Sequence, residues 1–329
     1  MVRAESGDWA AEAVRRLCAD ANPTPLVPLP YERLYVKDES AHPSGTLKHR
    51  LVRALLCEAV MDGSVGEGVP VVMGTGGPAA VAGAYCARLA GIPFVALVPA
   101  KAPPAVRESV ERHGGRWRIA AAPATLQDEG RHLAERMGGY FLDHFADSER
   151  ALGMCPLPDL AEEMFGQLAR VGAGEPAWLV AGLGTGTTTA TLGRYVRERG
   201  GNGTRVAGVD AECSAYFPAW ARDCADYTTG MPSPIPGIGR PRTEPAFRPD
   251  LLDLVIPVTA DAAADGLRWL HREAGYAAAG GGGPAAGAVA WAVSHLMGRM
   301  QESGTSGCVV MVTSARQVAP ARAAARSST

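Results

Sequence analysis

Short apolar runs that alternate with helical segments constrain the fold of this chain more than any other feature. Five such runs cover residues 71–73, 94–98, 177–181, 205–209 and 308–312, and most of them lead into glycine or small polar residues. Residues 78–89, 104–113, 187–199 and 285–299 show the three-and-four spacing of amphipathic helices. Buried strands joined by helices are typical of parallel sheets. The pattern predicts an α/β fold with ligands at the carboxyl ends of the strands.

The composition of the chain limits the kinds of partner that it could bind. The chain has 329 residues, 47% hydrophobic and 20% charged, with a formal net charge of -2. Its charges are scattered, which argues against a nucleic acid or an anionic membrane surface as partner. We therefore expect a small-molecule substrate.

Neither a membrane nor a metal is indicated. Each apolar run is interrupted too early to span a bilayer, and the amino-terminal residues lack the apolar core of a secretory signal, so we expect a cytoplasmic protein. The seven cysteines are dispersed and the histidines show no HExxH spacing. We expect no metal site.

One lysine stands at a predicted helix start. A strand over residues 34–37 leads into a polar loop that ends at Lys48, after which Leu51, Leu55 and Leu56 resume a helical pattern. A desolvated amine near the positive end of a helix dipole can form a Schiff base near neutral pH. A solvated surface lysine is the alternative reading of this segment alone.

A glycine-threonine loop follows the strand over residues 177–181. Its candidate anion ligands are Gly184, Thr185, Gly186, Thr187 and Thr188. Backbone N–H groups at a helix start, with threonine hydroxyls beside them, form a phosphate site. A dinucleotide site with Asp210 on the ribose competes, but Thr187 stands where its third glycine should be.

A serine ends the last strand. Residues 308–312 lead to Thr313, Ser314 and Ala315. Taken by itself, Ser314 is better interpreted as a helix cap after a strand.

These elements together resemble the cysteine synthase and cysteine desulfhydrase family of pyridoxal-phosphate enzymes. The resemblance is carried by residues 37–39 and 43–50, by Thr24-Pro25-Leu26, and by residues 238–245, which look like the actinobacterial L-cysteine desulfhydrase branch. It covers nearly the whole chain. It implies pyridoxal 5'-phosphate as cofactor, with Lys48 bonded to it and later shuttling the Cα proton. The glycine-threonine loop would hold its phosphate and Ser314 would contact its ring nitrogen.

The resemblance also implies the architecture. It is fold type II, similar to the tryptophan synthase β subunit, with two parallel-sheet α/β domains and the cofactor in the cleft between them. Residues 1–39 and 148–329 would form the large cofactor-binding domain, and residues 40–147 a small mobile domain. The resemblance also implies a homodimer.

The predicted substrate loop departs from the family pattern. Relatives of this type bind the substrate carboxylate with a hydroxyl-rich loop, whereas this chain has Thr75, Gly76, Gly77, Pro78 and Ala79. Proline removes a backbone donor, leaving Thr75 and the N–H groups of Gly76, Gly77 and Ala79 as candidate ligands. The segment 280–287 is similarly poor in hydroxyls. Either the substrate differs from a simple amino acid or the original reaction has been lost.

The resemblance favours β-elimination from a cysteine-like or O-activated serine-like amino acid through an aminoacrylate. Three alternatives stay open at this point. The chain could be a β-replacement synthase that makes cysteine or another β-substituted alanine. It could also be a non-catalytic homologue that binds pyridoxal phosphate, or, more remotely, a nicotinamide-dependent oxidoreductase.

Overall fold

The computed structural model describes residues 3–122, 125–152, 160–200, 203–224, 226–273, 276–278 and 283–317. Its helices are α1 (Arg3–Ala19), α2 (Lys48–Met61), α3 (Pro78–Ala90), α4 (Pro104–Arg112), α5 (Leu126–Arg136), α6 (Leu160–Arg170), α7 (Thr187–Glu198), α8 (Tyr216–Ala221), α9 (Ala260–Glu273) and α10 (Gly283–Ser303). Its strands are β1 (Leu26–Pro28), β2 (Leu34–Asp38), β3 (Val71–Gly74), β4 (Phe94–Val98), β5 (Arg116–Ile119), β6 (Tyr140–Phe141), β7 (Pro176–Gly182), β8 (Arg205–Ala211), β9 (Leu254–Val258), β10 (Tyr276–Ala278), β11 (Cys308–Thr313) and β12 (Ala315–Gln317).

The chain divides into two compact units. The first contains Met1–Pro23 and His42–Leu157, and the second contains Thr24–Ala41 and Pro158–Thr329. These limits differ from the predicted ones at the amino terminus, which we had placed with the large domain. The reason is the apolar face of α1, where Ala13 and Leu17 are buried and pack in one core with α2 and α3.

The first unit is built on a four-stranded sheet with the order β5-β4-β3-β6, in which all pairs are parallel. Every residue of β3 and β4 is buried, as expected for strands that are covered on both faces. The apolar runs predicted these two strands correctly. The edge strand β5 escaped the pattern because three of its four residues are exposed.

The second unit contains a six-stranded sheet with the order β1-β2-β11-β7-β8-β9. Its strands pair in parallel, except that β1 is antiparallel to β2. Strands β10 and β12 form a separate antiparallel pair. The strand pattern missed the outer strand β9, which carries an exposed Pro257, a residue tolerated at sheet edges.

Helix starts were also predicted well. Pro78 and Pro104 are the first residues of α3 and α4, where the fixed φ of proline suits a helix and its missing N–H costs nothing. In the segment 280–287, residues 280–282 lie outside the described residues, and α10 begins at Gly283. No helix in the part of the chain that the structure describes is long and apolar enough to cross a membrane.

Candidate active site

Lys48 is the first residue of α2, and it is partly buried. The turn before it depends on Gly45, whose φ of +70° lies in the left-handed region. The Gly45 N–H donates to the His42 carbonyl at 2.7 Å, and the Lys48 N–H donates to Thr46 Oγ1 at 3.2 Å. The loop therefore places Lys48 at a helix N-terminus, as the sequence predicted.

The other two lysines of the chain are chemically unsuited to carry an aldehyde cofactor. Lys37 is completely buried, and its ammonium group donates to the Thr24 carbonyl at 2.6 Å, to Gln167 Oε1 at 2.9 Å and to the Glu163 carboxylate. All three donors of the ammonium are used in these hydrogen bonds, so this amine is already committed to the protein interior. Lys101 is exposed to solvent. This leaves Lys48 as the lysine whose setting suits a nucleophile.

The candidate substrate loop connects β3 with α3 in the first unit. Gly76 is packed so closely that a Cβ there would lie 2.5 Å from Cδ of Pro99, whereas a Cβ at Gly77 would meet nothing within 4 Å. Thr75 is buried, and its Oγ1 lies 3.4 Å from the Gly77 N–H. Helix α3 has no side-chain cap. Its first turn therefore offers backbone donors but few hydroxyls.

The glycine-threonine loop connects β7 with α7 in the second unit. Gly186 has a φ of +88°, and a Cβ there would lie 2.7 Å from the backbone nitrogen of Phe247. Thr185 and Thr187 share a hydrogen bond of 2.9 Å between their hydroxyls. Because α7 has no side-chain cap, the first N–H groups of the helix remain suited to an anion. The loop has the form of a phosphate cradle.

A buried tyrosine that the sequence did not indicate supports this cradle. Tyr216 is completely buried and donates from its hydroxyl to the Gly184 carbonyl at 2.7 Å. From the other side, the Gly239 N–H donates to the Leu183 carbonyl at 2.7 Å. The segment 231–241 is thus an ordered loop, as predicted. Only the periodicity of a short helix around residue 216 could have signalled the tyrosine.

Asp210 ends up where it cannot bind a ribose. The residue is completely buried, and its Oδ2 accepts the Phe217 N–H at 2.8 Å. Burial raises the pKa of this carboxyl to about 6, although hydrogen bonds from Ser214 and Phe217 partly oppose the shift. The acidic ligand that a dinucleotide site needs is therefore missing from the surface of the loop.

Ser314 follows β11, the neighbour of β7 in the sheet. The two strands run in parallel with Val312 opposite Ala181, so Ser314 and the cradle follow the carboxyl ends of adjacent strands. The structure therefore brings Ser314 and residues 184–188 to one edge of the second unit. Lys48 and the loop with Thr75, Gly76, Gly77 and Ala79 belong to the first unit.

These residues fit pyridoxal phosphate: a partly buried lysine at a helix start, and an uncapped helix behind a loop that has no room for a Cβ at Gly186. The sequence profile of a family described as "Pyridoxal-phosphate dependent enzyme" matches residues 18–314. The chain belongs to this family. Its members' cofactor is therefore the cofactor of this chain, as the sequence predicted. No group of three metal-ligating side chains occurs among the described residues.

The chain is also similar to individual proteins of known function or structure. The chain is 36% identical to the L-cysteine desulfhydrase Cds1 of Mycobacterium tuberculosis, over 94% of this chain and 86% of that protein. It is 25% identical to cysteine synthase B of Salmonella typhimurium, over 81% of this chain and 84% of that protein. A crystal structure of O-ureido-L-serine synthase superposes with a TM-score of 0.70 at 23% identity, covering 90% of this chain and 89% of that one. The family and this superposition confirm the predicted fold class.

Proposed function

We propose that this enzyme catalyses β-elimination on a cysteine-like or O-activated serine-like amino acid. The observation that carries the proposal is the 36% identity to an L-cysteine desulfhydrase across 94% of the chain. The reaction breaks the Cα–H bond and the bond between Cβ and the sulfur or oxygen leaving group. With cysteine as substrate and water as co-reactant, the products are pyruvate, ammonia and sulfide.

Lys48 has the central role in this proposal. Bound pyridoxal phosphate supplies the electron sink that makes the substrate Cα proton acidic. Lys48 would hold the cofactor through its amine, and the same amine is the base that would take the Cα proton of the substrate. Because Lys48 is the first residue of α2, the backbone that carries its amine has a fixed position.

The remaining site residues bind the cofactor and the substrate and orient them. In our proposal the cofactor phosphate is held by Gly184, Thr185, Gly186, Thr187 and Thr188 at the start of α7. Ser314 would hold the pyridine nitrogen, and its neutral hydroxyl would leave the ring largely unprotonated, which would favour elimination. Thr75 and the N–H groups of Gly76, Gly77 and Ala79 hold the substrate carboxylate.

A β-replacement reaction is the second candidate. It is favoured by 28% identity to the N-(2-amino-2-carboxyethyl)-L-glutamate synthase of Ralstonia nicotianae, over 84% of this chain and 80% of that protein. Replacement needs a second nucleophile and releases no pyruvate. The hydroxyl-poor loop around Pro78 supports a third candidate, a homologue that binds the cofactor and leaves amino acids unchanged.

One assay separates the three. The purified holoenzyme is incubated with cysteine or O-acetylserine, with and without added sulfide, and pyruvate and new amino acids are measured. Pyruvate formation supports elimination, a new β-substituted alanine supports replacement, and an unchanged substrate with a coloured protein supports the non-catalytic homologue.

The role of Lys48 is tested separately. After borohydride reduction, the pyridoxyl label should be found on the peptide that contains residue 48. A Lys48→Ala variant should lose both the label and turnover, whereas a Lys101→Ala variant, which removes the exposed lysine of the same unit, should retain both. A label elsewhere would contradict the assignment.

We also propose that the enzyme is a cytoplasmic homodimer and that its first unit, which contains most of the predicted small domain of residues 40–147 together with α1, is mobile. The support is the resemblance to its family together with the separate cores of the two units. Light scattering of the purified protein tests the dimer, and fractionation of the source cells tests the location.

A further inference from the structure

A buried polar cluster in the first unit is centred on His49, the residue that follows Lys48 in the chain. His49 is completely buried, with its Nδ1 2.9 Å from Ser44 Oγ and its Nε2 3.0 Å from Asp20 Oδ2. The ring of His42 stacks on that of His49 with centroids 4.4 Å apart and planes 10° apart. None of these contacts was expected from the sequence, because Asp20 comes from the end of a different helix.

Asp20 joins three helices at this point. It follows α1, its backbone carbonyl accepts from Arg53 Nη1 of α2 at 2.6 Å, and its Oδ1 accepts from the Tyr85 hydroxyl of α3 at 3.1 Å. Burial raises the pKa of the Asp20 carboxyl, but the contacts with His49 and Tyr85 outweigh it and leave the pKa below its usual value. The carboxylate is therefore ionised and can only accept.

The arrangement determines which nitrogen of His49 carries the proton. Burial lowers the pKa of His49 to about 4, so the ring is neutral near pH 7. Its Nε2 faces a carboxylate that can only accept, so the proton belongs on Nε2. Nδ1 is then the acceptor, and the Ser44 hydroxyl must donate to it. The hydrogen bond between Ser44 and His49 therefore has one direction, which is set by the charge of Asp20 3.0 Å from Nε2.

We propose that Asp20, His49 and Ser44 form a positioning relay that holds the loop before Lys48 in its working shape. Ser44 is four residues before the lysine, and Thr46 of the same loop receives the Lys48 N–H. The hydrogen bond from the Ser44 hydroxyl to His49 holds the loop in one conformation. Lys48 therefore begins α2 at one fixed position. The relay rests on the proposed role of Lys48 as the cofactor lysine.

The same three residue types form the nucleophilic triad of hydrolases, but this cluster is unsuited to that chemistry. Ser44 is only 7% exposed, so an acyl group cannot reach its oxygen without opening the loop. The cluster therefore orients the chain instead of attacking a substrate.

An Asp20→Asn substitution should move the proton of His49 from Nε2 to Nδ1 without removing a heavy atom. Because the Tyr85 hydroxyl donates to one position of this side chain, the amide oxygen should stay there and the amide N–H₂ should face His49. Nε2 would then accept, the proton would move to Nδ1, and Ser44 would have to turn its hydroxyl away. The nitrogen chemical shifts of ¹⁵N-labelled histidine report this change, with His49 assigned by its absence in a His49→Gln variant.

The second measurement is the rate at which cofactor-depleted protein recombines with pyridoxal phosphate, followed by the visible absorbance of the bound cofactor. Asp20→Asn should remove the buried hydrogen bond from Ser44 to His49 and so slow recombination by about tenfold. Ser44→Ala should slow it equally while leaving the Nε2–H form unchanged. The matched control is Glu58→Gln, which neutralises a buried carboxylate outside the relay. Glu58 lies on α2 and pairs with Arg150 at 2.9 Å. This variant should recombine with the cofactor at the wild-type rate.

Three results would overturn the relay: an unchanged His49 tautomer in Asp20→Asn, recombination of Ser44→Ala at the Glu58→Gln rate, or covalent labelling of Ser44 by a fluorophosphonate. If Asp20→Asn does not fold, Ser44→Ala and the wild-type tautomer still decide the question. No amino-acid substrate is present in these measurements. A failure of cysteine turnover therefore bears on the proposed function and leaves the relay to its own test.

Discussion

The loop after β3 and the loop after β7 have the same backbone plan and different chemistry. Each leaves a parallel strand, passes through glycines and enters an uncapped helix. In the second unit the loop keeps threonine hydroxyls around the helix start, and Gly186 is wedged against Phe247. In the first unit the corresponding loop keeps one hydroxyl, on Thr75, and begins its helix with Pro78.

The loop after β7 offers an anion more hydrogen-bond donors than the loop after β3 does. A phosphate group, with three terminal oxygens, profits from several hydroxyl and N–H donors, whereas a carboxylate can be held by a few backbone donors. We infer that the loop after β7 serves the cofactor phosphate and that the loop after β3 serves the substrate carboxylate. The predictions below test this division.

The largest effect is expected for Gly186→Ala. The substitution puts a side chain in the left-handed region and drives its methyl group to 2.7 Å from the Phe247 nitrogen, so the cradle must deform. We expect the Kd for pyridoxal phosphate to rise by about 100-fold, or some 2.7 kcal/mol, measured by titration of the absorbance. Gly200→Ala has a similar φ of +82° in open space and should retain near-normal affinity.

Gly76→Ala should instead affect the substrate. Its methyl group would lie 2.5 Å from Cδ of Pro99, which displaces the loop that we assign to the carboxylate. We expect the KM for the amino acid to rise by about tenfold, some 1.4 kcal/mol, with unchanged cofactor affinity. Gly77→Ala, with no neighbour within 4 Å, is the control. A loss of cofactor in Gly76→Ala would show that the loops do not divide the two tasks.

Thr187→Val tests the hydroxyls of the cradle at constant shape. The variant loses the group that shares a 2.9 Å hydrogen bond with Thr185, worth about 1 kcal/mol, so the Kd for the cofactor should rise about fivefold. Thr187→Ser should restore most of the affinity. Equal affinities for Val and Ser would assign phosphate binding to the backbone alone.

Pro78→Ser should produce the smallest change, and in the opposite direction. Serine adds a backbone N–H and a hydroxyl at the first residue of α3, a place where both can face an anion. We expect the KM for the amino acid to fall by about threefold, some 0.6 kcal/mol. Steady-state kinetics of the variant against wild type measures it, and an unchanged KM would move the carboxylate site away from this loop.

The sequence was sufficient wherever the signal was local. Apolar runs predicted β3, β4, β7, β8 and β11 because fully buried parallel strands need continuous hydrophobic residues. The placement of Lys48 and of the glycine-threonine loop at helix starts was predictable for a similar reason, since capping and glycine conformation depend on neighbours in the chain. Strands with exposed faces, such as β5, carry no such signal and were missed.

The tertiary structure alone decided what supports those local features. The tightness at Gly186 depends on Phe247, the cradle carbonyl is held by Tyr216, and the tautomer of His49 depends on Asp20. Each pair is separated by roughly thirty or more residues and meets only after helices and strands have packed. A local pattern specifies which residue can do the chemistry, whereas the neighbours that hold it in place are chosen by packing between distant segments.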